Sequence, residues 1–296
     1  MMARMDVTSG ASRTAVLVCQ GRAAAHDRLA PGRFSDPVAS LLLREGEREV
    51  VEQVRAGIPP RDWRQRMAFE LVRATAEGMA PRTVAIDDAV RDRPGAQLVI
   101  LGAGLDTRAW RMPELAGVAV FEVDHPATQQ DKRDRIGELP ALTPSLRLVP
   151  VDLGRDRLDT ALATAGHAPT QPTTWIWEGV VPYLTREQVG ATLARIRAGS
   201  ASGSRLIVNY QQPSLSAMLG RLTMRTVTTL ARRPYPLADE PRRSAWTPAS
   251  IDALLGRHGF TVVSDDDLLS LAERLSIETR HRRSLRDGRV LVADLG

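Results

Sequence analysis

The amino-acid sequence predicts an α/β fold: a seven-stranded, mostly parallel sheet with helices on both faces, preceded by a helical region. Two observations support this prediction. Short apolar runs, several of them bounded by glycine or by acids, are typical of strands that are buried on both faces. Segments of helical pattern separate the first five runs, and parallel strands need such crossover connections.

The strand and turn at residues 98–104 organise the predicted fold. Leu98–Leu101 is an apolar run that ends in Gly102-Ala103-Gly104. Two glycines at the end of a strand let a ligand approach the backbone without meeting a Cβ atom. The free N–H groups of a following helix favour a negative group on the ligand. Gly102 and Gly104 are therefore candidates for binding a nucleoside cofactor.

Asp124 supports the same interpretation. It closes the second apolar run, Val118–Val123, and lies 22 residues after Gly102. An acid about 20 residues after the first glycine commonly binds the ribose hydroxyls of a cofactor. The dinucleotide fingerprint also requires a third glycine, and this sequence has Thr107 there. The difference disfavours NAD or FAD, and an NAD(P)-dependent oxidoreductase stays open as an alternative.

The chain divides into three predicted parts. Residues 1–12 are polar and small and are expected to be a disordered tail. Residues 13–92 form a helical cap, and residues 93–296 form the cofactor-binding domain. Within that domain, residues 211–246 are less patterned and are expected to be an insertion that caps the substrate.

The turn residues and apolar spacing predict the individual elements. In the cap, Asp36 and Pro37 are expected to begin a helix, Gly78 to end another, and Pro81 to begin the next. Helices are predicted at 14–26, 62–77, 81–91, 127–136, 157–165, 185–198 and 247–258. Strands are predicted at 98–101, 118–123, 146–151, 173–177, 204–209, 260–263 and 289–293.

Two motifs point to a family. LVILGAGLDTRAWRM followed by VFEVDHPATQQDK resembles the leucine carboxyl methyltransferase family. More closely it resembles bacterial O-methyltransferases that depend on S-adenosylmethionine (SAM), including the tetracenomycin-type polyketide carboxyl methyltransferases. Blocks at 80–88, 149–153 and 175–184 agree in the same order. The resemblance implies a Rossmann-like class I methyltransferase with SAM as its cofactor.

The resemblance also implies roles for cofactor-binding residues. Arg82 corresponds to the family arginine that meets the methionine carboxylate, and Arg22 is a second cation by analogy. The carboxylate of Asp152 would take the adenine amino group, and the amide of Leu153 would face the adenine ring. Glu178 would lie against the amino or sulfonium end of SAM.

Other functions of these residues remain open on the sequence alone. Arg82 could form a surface salt bridge, Asp152 could cap the segment that follows it, and Glu178 could be a surface acid beginning a loop. The candidate set also includes Asp106, after the glycine turn, as a cofactor-binding residue. Tyr183 and Tyr210 are candidate pocket residues, and no catalytic residue is assigned.

The acceptor is expected to be a carboxylate of a small molecule. A carboxylate, with a reference pKa near 4, is ionised at neutral pH and needs no general base, whereas a phenol, with a pKa near 10, usually does. The sequence offers no evident base, because its five histidines form no spaced constellation, and no metal-ligand cluster is evident. A phenol or other hydroxyl acceptor remains the alternative.

Composition limits the partners. The formal net charge is +5 and the pI about 10.2, which raises the possibility of nucleic-acid binding. The arginines are spread along the chain and aromatic residues make up only 4%, so no nucleic-acid partner is expected. A single cysteine and the lack of a long apolar run predict a cytoplasmic protein with no membrane span. The oligomeric state is left open.

Overall fold

The computed structural model describes residues 12–153, 155–213 and 243–296. The predicted tail, apart from Ser12, and most of the predicted insertion at 211–246 lie outside these ranges. Among the described residues, no helix has both the length and the apolar character needed to cross a membrane.

A single seven-stranded sheet forms the centre, in the order β3-β2-β1-β4-β5-β7-β6. The first five strands pair in parallel, and β7 is antiparallel to both β5 and β6. The mostly parallel sheet predicted from the sequence is therefore confirmed. The strands are β1 Gln97–Leu101, β2 Ala119–Asp124, β3 Leu146–Pro150, β4 Thr173–Trp177, β5 Arg205–Gln211, β6 Phe260–Asp267 and β7 Gly288–Leu295.

Helices cover both faces of this sheet. The described helices are α1 Arg13–Ala25, α2 Glu45–Ala56, α3 Trp63–Asp92, α4 Arg108–Arg111, α5 Pro126–Ile136, α6 Leu158–Thr164, α7 Arg186–Ala198, α8 Pro248–Arg257, α9 Leu268–Arg274 and α10 Arg282–Asp287. The predicted capping box of Thr185 and Gln188 is present at the start of α7. The sequence-based prediction missed α4, α9 and α10.

The N-terminal region differs from the prediction at α3. This helix runs without interruption from Trp63 to Asp92, with Pro81 inside it. The predicted break between Gly78 and Pro81 is therefore wrong, and Arg82 lies in a helix interior rather than in a first turn. Pro81 and its neighbours are buried, and the packing of this segment compensates for the hydrogen bond that proline cannot make.

A second difference concerns Asp36. The helix predicted from Asp36 is a short 3-10 turn, Ala39–Leu42, and α2 begins only at Glu45. Asp36 Oδ1 accepts a hydrogen bond from the Ala39 amide at 3.0 Å, as a capping residue does. Its other oxygen faces the interior, and the side chain is fully buried.

The core consists of two clusters, one on each face of the sheet. Alternate residues of one strand point to opposite faces, so Leu98 and Ile100 join the first cluster while Val99 and Leu101 join the second. The first cluster also contains buried residues of α1 and α3. The helical N-terminal region and the sheet therefore share one core.

Candidate functional site

The carboxyl ends of four parallel strands meet at one edge of the sheet. The register pairs Leu101 of β1 with Val123 of β2 and with Trp177 of β4, and Asp124 with Pro150 of β3. The residues that follow these strands therefore lie side by side at this edge. In open α/β sheets, ligands bind at this carboxyl edge.

The glycine turn and Asp124 form one unit. Gly102 and Gly104 have φ values of +68° and +51°, which favour glycine. The amide of Gly104 donates to Asp124 Oδ2 at 2.6 Å, and the amide of His125 donates to Asp124 Oδ1 at 2.6 Å. Burial raises the pKa of Asp124, although both amides favour its ionised form. The side chain remains partly exposed at the edge.

Gly102 also permits close packing against the loop after β4. A Cβ atom at Gly102 would lie 2.2 Å from Val180 Cγ2. At Gly104, a Cβ atom would lie 3.0 Å from the Cβ of Ala15 in α1. The turn is therefore enclosed by β4's loop on one side and by the N-terminal region on the other.

Arg82 and Glu178 form a buried pair beside this turn. The Arg82 Nε atom lies 2.7 Å from Glu178 Oε1, and the side chains are 9% and 12% exposed. The contact is a close ion pair whose angle departs from that of a well-aligned hydrogen bond. Burial lowers the pKa of Arg82, and the charge of Glu178 opposes that shift. Arg82 thus places a buried guanidinium, paired with Glu178, next to the carboxyl edge.

Arg108 connects this pair to the glycine turn. Its guanidinium donates to Glu178 Oε2 at 3.0 Å and to Asp87 Oδ1 at 2.8 Å, and it contacts the carboxylate of Asp106. The backbone amide of Arg108 also donates to Asp106 Oδ1 at 2.7 Å. Burial works against ionisation of Asp106, but Arg108, Lys132 and other nearby cations outweigh it and lower the pKa to about 2.

Arg22 and Asp36 join the same network from the N-terminal region. Arg22 Nε donates to Asp36 Oδ2 at 2.8 Å, and its terminal nitrogen donates to the carbonyl of Leu105 at 2.5 Å. Thr107 Oγ1 also donates to Asp36 Oδ2, at 2.7 Å. Thr107, which replaces the third glycine of a dinucleotide site, thus anchors the turn to the buried Asp36.

Four arginines and four acids alternate in this cluster, which we call the buried ion network. Its members are Arg22, Asp36, Arg82, Asp87, Asp106, Arg108, Arg111 and Glu178. The formal charges of these eight side chains cancel. The sequence predicted four of them as cofactor-binding residues, and it did not predict that Asp36, Asp87, Arg108 and Arg111 belong to the same network.

A second buried pair lies under the turn. The Lys132 ammonium contacts Glu122, donates to the carbonyl of Asp106 at 2.7 Å, and lies 5.1 Å from the ring centre of Trp110. Burial raises the pKa of Glu122 to about 7, although the charge of Lys132 opposes that rise. The only lysine of the chain therefore has a structural position beneath the site.

Asp152 and Leu153 follow β3 at the same edge and are both partly exposed. The amide of Asp152 donates to Asp156 Oδ2 at 2.8 Å, and α6 begins later, at Leu158. Tyr183 lies in a 3-10 turn after β4 and is partly exposed. The positions of these three residues are compatible with their predicted places around a cofactor cleft.

Tyr210 does not line an open cleft. Its side chain is fully buried in the second core cluster, and its hydroxyl donates to Asp265 Oδ2 of β6 at 2.7 Å. The prediction of Tyr210 as a pocket residue is therefore wrong. Tyr210 lies near the end of β5, where the sequence pattern places a strand end but does not reveal which partner covers it.

Comparisons with known proteins identify the family of this chain. The sequence profile of the family described as leucine carboxyl methyltransferase matches residues 15–197. The chain belongs to this family. Family membership favours methyl transfer over the alternative of an NAD(P)-dependent oxidoreductase, and the resemblance predicted from the sequence is confirmed.

Relatives in mycobacteria extend beyond the profile match. A protein from Mycobacterium avium is 34% identical over 209 residues, which cover 69% of this chain and 68% of the relative. One from Mycolicibacterium smegmatis is 36% identical over 220 residues, which cover 73% and 71%. Both carry names as SAM-dependent methyltransferases. The chain is a SAM-dependent member of the leucine carboxyl methyltransferase family, and the predicted cofactor is confirmed.

Solved structures confirm the fold. A crystal structure named as a methyltransferase from Thermobifida fusca has a TM-score of 0.54 and 16% sequence identity, and the match covers 98% of this chain and 96% of the other. A structure from Bordetella parapertussis, named as an exported protein, has a TM-score of 0.53 at 16% identity, with 99% of each chain covered. At this identity the likeness shows the Rossmann-like methyltransferase fold alone.

Proposed function

We propose that this SAM-dependent methyltransferase acts on a carboxylate of a small molecule and forms a methyl ester. When bound, SAM supplies a methyl group that its sulfonium activates for in-line transfer. The task left to the chain is to bind SAM, hold the acceptor about 3 Å from the methyl group, and exclude water. The carboxyl edge described above is the place for this chemistry.

The residues of the edge fit the parts of SAM by charge and position. Asp124, partly exposed and fixed by two amides, would accept hydrogen bonds from the ribose hydroxyls. The amino-acid end of SAM carries one carboxylate and one ammonium group. The guanidinium of Arg82 would bind the carboxylate, and Glu178 would bind the ammonium. Asp152 and Leu153 would flank the adenine.

The state of the histidines supports a carboxylate acceptor. His167 bonds Thr173 at the opposite edge of the sheet, and His258 lies at that edge before β6. His26 and His281 bond the amide of residue 36 and the carboxylate of residue 77. Among the described residues, none of these four histidines forms a hydrogen bond with the glycine turn or with Asp124.

His125 is the histidine nearest to the glycine turn. Its Nδ1 atom accepts a hydrogen bond from the amide of Ala127 at 3.3 Å, at the start of α5. A neutral imidazole that accepts at Nδ1 carries its proton at Nε2 and has no lone pair left for a base. A carboxylate acceptor needs no such base, and this observation carries the proposal.

The chemical nature of the product tests the proposal. Purified enzyme should be incubated with SAM labelled in its methyl group and with matched pairs of aromatic acids and phenols. Methyl esters release methanol in mild alkali, whereas methyl ethers do not. We expect the label to transfer to acids and to become volatile after alkali. Alkali-stable label on the phenols would favour hydroxyl methylation instead.

A further inference from the structure

Glu178 is held in part by Arg108, which is buried behind the carboxyl edge. Its two carboxylate oxygens are held by different cations: Oε1 lies 2.7 Å from Arg82, and Oε2 accepts a hydrogen bond from Arg108 at 3.0 Å. Arg82 is the cation that an incoming cofactor carboxylate would engage. Arg108 has a side chain that is only 3% exposed and remains bound within the protein.

We infer that Arg108 is a positioning residue that keeps Glu178 ionised and oriented toward the ammonium group of SAM. The inference rests on the proposed role of Glu178 in cofactor binding. Arg108 suits this task because its position is determined elsewhere: it donates to Asp87 of α3, and both its amide and its guanidinium contact Asp106. A planar guanidinium can serve several carboxylates at once, which an ammonium cannot.

The charges around Glu178 come from four elements. Arg82 faces it from α3, Arg108 from α4, Asp106 from the loop after the glycine turn, and Arg22 from α1. Burial tends to raise the pKa of Glu178, but the three arginines outweigh burial and Asp106, so the pKa lies below its ordinary value. When the cofactor carboxylate binds Arg82, the positive charge of Arg82 is shared between Glu178 and the ligand. Arg108 then becomes the cation that keeps Glu178 charged.

Arg111 provides a matched control in the same short helix. Its side chain is also buried, at 5% exposed, and it binds Asp87 at 2.6 and 3.1 Å and Thr107 at 3.2 Å. It makes no described contact with Glu178. Arg108→Gln and Arg111→Gln therefore each remove one buried arginine of the network, but only the first removes a partner of Glu178.

The test is the pH dependence of binding of S-adenosylhomocysteine (SAH), measured by calorimetry from pH 8 to pH 5.5. We expect the affinity of the wild type and of Arg111→Gln to vary by less than about twofold. In Arg108→Gln the affinity should fall at least fivefold over this range, because Glu178 becomes protonated and no longer binds the ammonium. In the background of Glu178→Gln, the further change Arg108→Gln should add no pH dependence.

The outcomes separate this inference from the proposed function. A flat profile for Arg108→Gln, in a protein that binds SAH, would overturn the role of Arg108 and leave the SAM site standing. Wild-type protein that binds no SAH would overturn both. If Arg108→Gln fails to fold, Arg108→Lys and Arg111→Lys replace the two glutamine variants. We then expect Arg108→Lys alone to weaken SAH binding, by about fivefold, because a lysine cannot hold all three acids; equal affinities in the two lysine variants would contradict the inference.

Discussion

Single residues at the carboxyl edge are fixed mainly by backbone groups. Asp124 illustrates this, because the amides of Gly104 and His125 hold its two oxygens in place before any ligand arrives. Its orientation is therefore part of the folded protein. A ligand that uses this carboxylate meets a preorganised acceptor, which reduces the entropy that binding must overcome.

We predict that Asp124→Asn weakens SAH binding about 10- to 100-fold. The amide group cannot accept from both backbone donors, and it loses the charge that strengthens hydrogen bonds to the ribose, where one such bond contributes about 1.5–3 kcal/mol. Calorimetric titration measures the effect. The exposed Asp134→Asn change in α5 is the control. An unchanged affinity in Asp124→Asn would contradict the ribose role.

Gly102 gives a second prediction at the residue scale. Gly102→Ala should lower the free energy of unfolding by about 2–4 kcal/mol, from a left-handed backbone costing ~1–2 kcal/mol and from overpacking. The overpacking arises because the new Cβ would lie 2.2 Å from Val180 Cγ2. Adding Val180→Ala should recover part of the loss. Denaturant unfolding of both single variants and the double variant measures the coupling, and strictly additive losses would rule out the steric explanation.

At the scale of elements, α3 connects the N-terminal region to the site. It carries Glu77, Arg82 and Asp87 on one continuous helix, so its integrity sets where Arg82 lies relative to Glu178. The predicted break was wrong here because Gly78 and Pro81 are helix breakers only in local terms. Tertiary packing overrides the low helix propensity of glycine and proline here, since residues 76–84 are buried on both sides of Pro81.

Pro81→Ala should therefore stabilise the protein. It supplies the missing N–H for the carbonyl of residue 77 and removes the ring clash, and a helix-interior proline is about 3 kcal/mol less favourable than alanine. We expect the free energy of unfolding to rise by about 1–3 kcal/mol. Pro248→Ala is the matched control, because Pro248 occupies the first position of α8, where proline is favourable. A loss of stability in Pro81→Ala would show that packing of the ring dominates.

The sequence predicts some parts of the site better than others, and separation along the chain explains why. Gly102, Gly104 and Asp124 belong to one strand-turn-strand unit, so their spacing carries the information. Besides the neighbouring Asp106, the partners of Arg108 are Asp87 and Glu178, which lie 21 and 70 residues away. No local pattern relates residues at such separations. Arg108, the arginine of the GAGLDTR motif, was the available sequence signal for the network. Its contacts with Asp87 and Glu178 could be identified only in the folded structure.

Separation along the chain also limited the prediction of how far β6 and β7 extend. The apolar runs predicted all seven strands, yet β6 and β7 extend beyond the predicted 260–263 and 289–293. Their extra residues include Asp265, Asp266 and Asp267, which an apolar pattern does not reveal as strand. Asp265 is held there by Arg289 of β7 and by Tyr210 of β5. Cross-strand pairing determined those strand ends.

At the scale of the whole molecule, the buried ion network holds the N-terminal region against the sheet. It joins α1, α3 and α4 to the loop after β4, across the core that these parts share. Buried pairs of this kind need not stabilise a fold more than apolar residues would. Removing one partner is costly, however, because it leaves a buried charge without compensation.

The network makes stability depend on pH in the acid range. The pKa of Asp106 is lowered to about 2, and those of Asp87 and Glu178 are also lowered, because arginine charges outweigh burial. The unfolded chain therefore binds more protons than the folded protein between pH 4 and pH 2. The stabilisation from these acids is present above about pH 4 and is lost as pH falls toward 2.

We predict that Asp106→Asn reduces this acid sensitivity. The difference in free energy of unfolding between wild type and variant should shrink by roughly 1–2 kcal/mol from pH 5 to pH 2, since a pKa unit corresponds to ~1.4 kcal/mol. Denaturant unfolding at several pH values measures it. Asp252→Asn, on the exposed side of α8 across the sheet, should follow the wild-type slope. Parallel curves for Asp106→Asn would contradict the prediction.

The most direct test of the account is a crystal structure of the protein with SAH. We predict that the ribose hydroxyls bind Asp124, that the amino-acid end lies between Arg82 and Glu178, and that the adenine lies beside Asp152 and Leu153. Arg108 should remain bonded to Glu178 in the complex. SAH bound away from the carboxyl edge, or bound there with its amino-acid end distant from Arg82 and Glu178, would contradict the account.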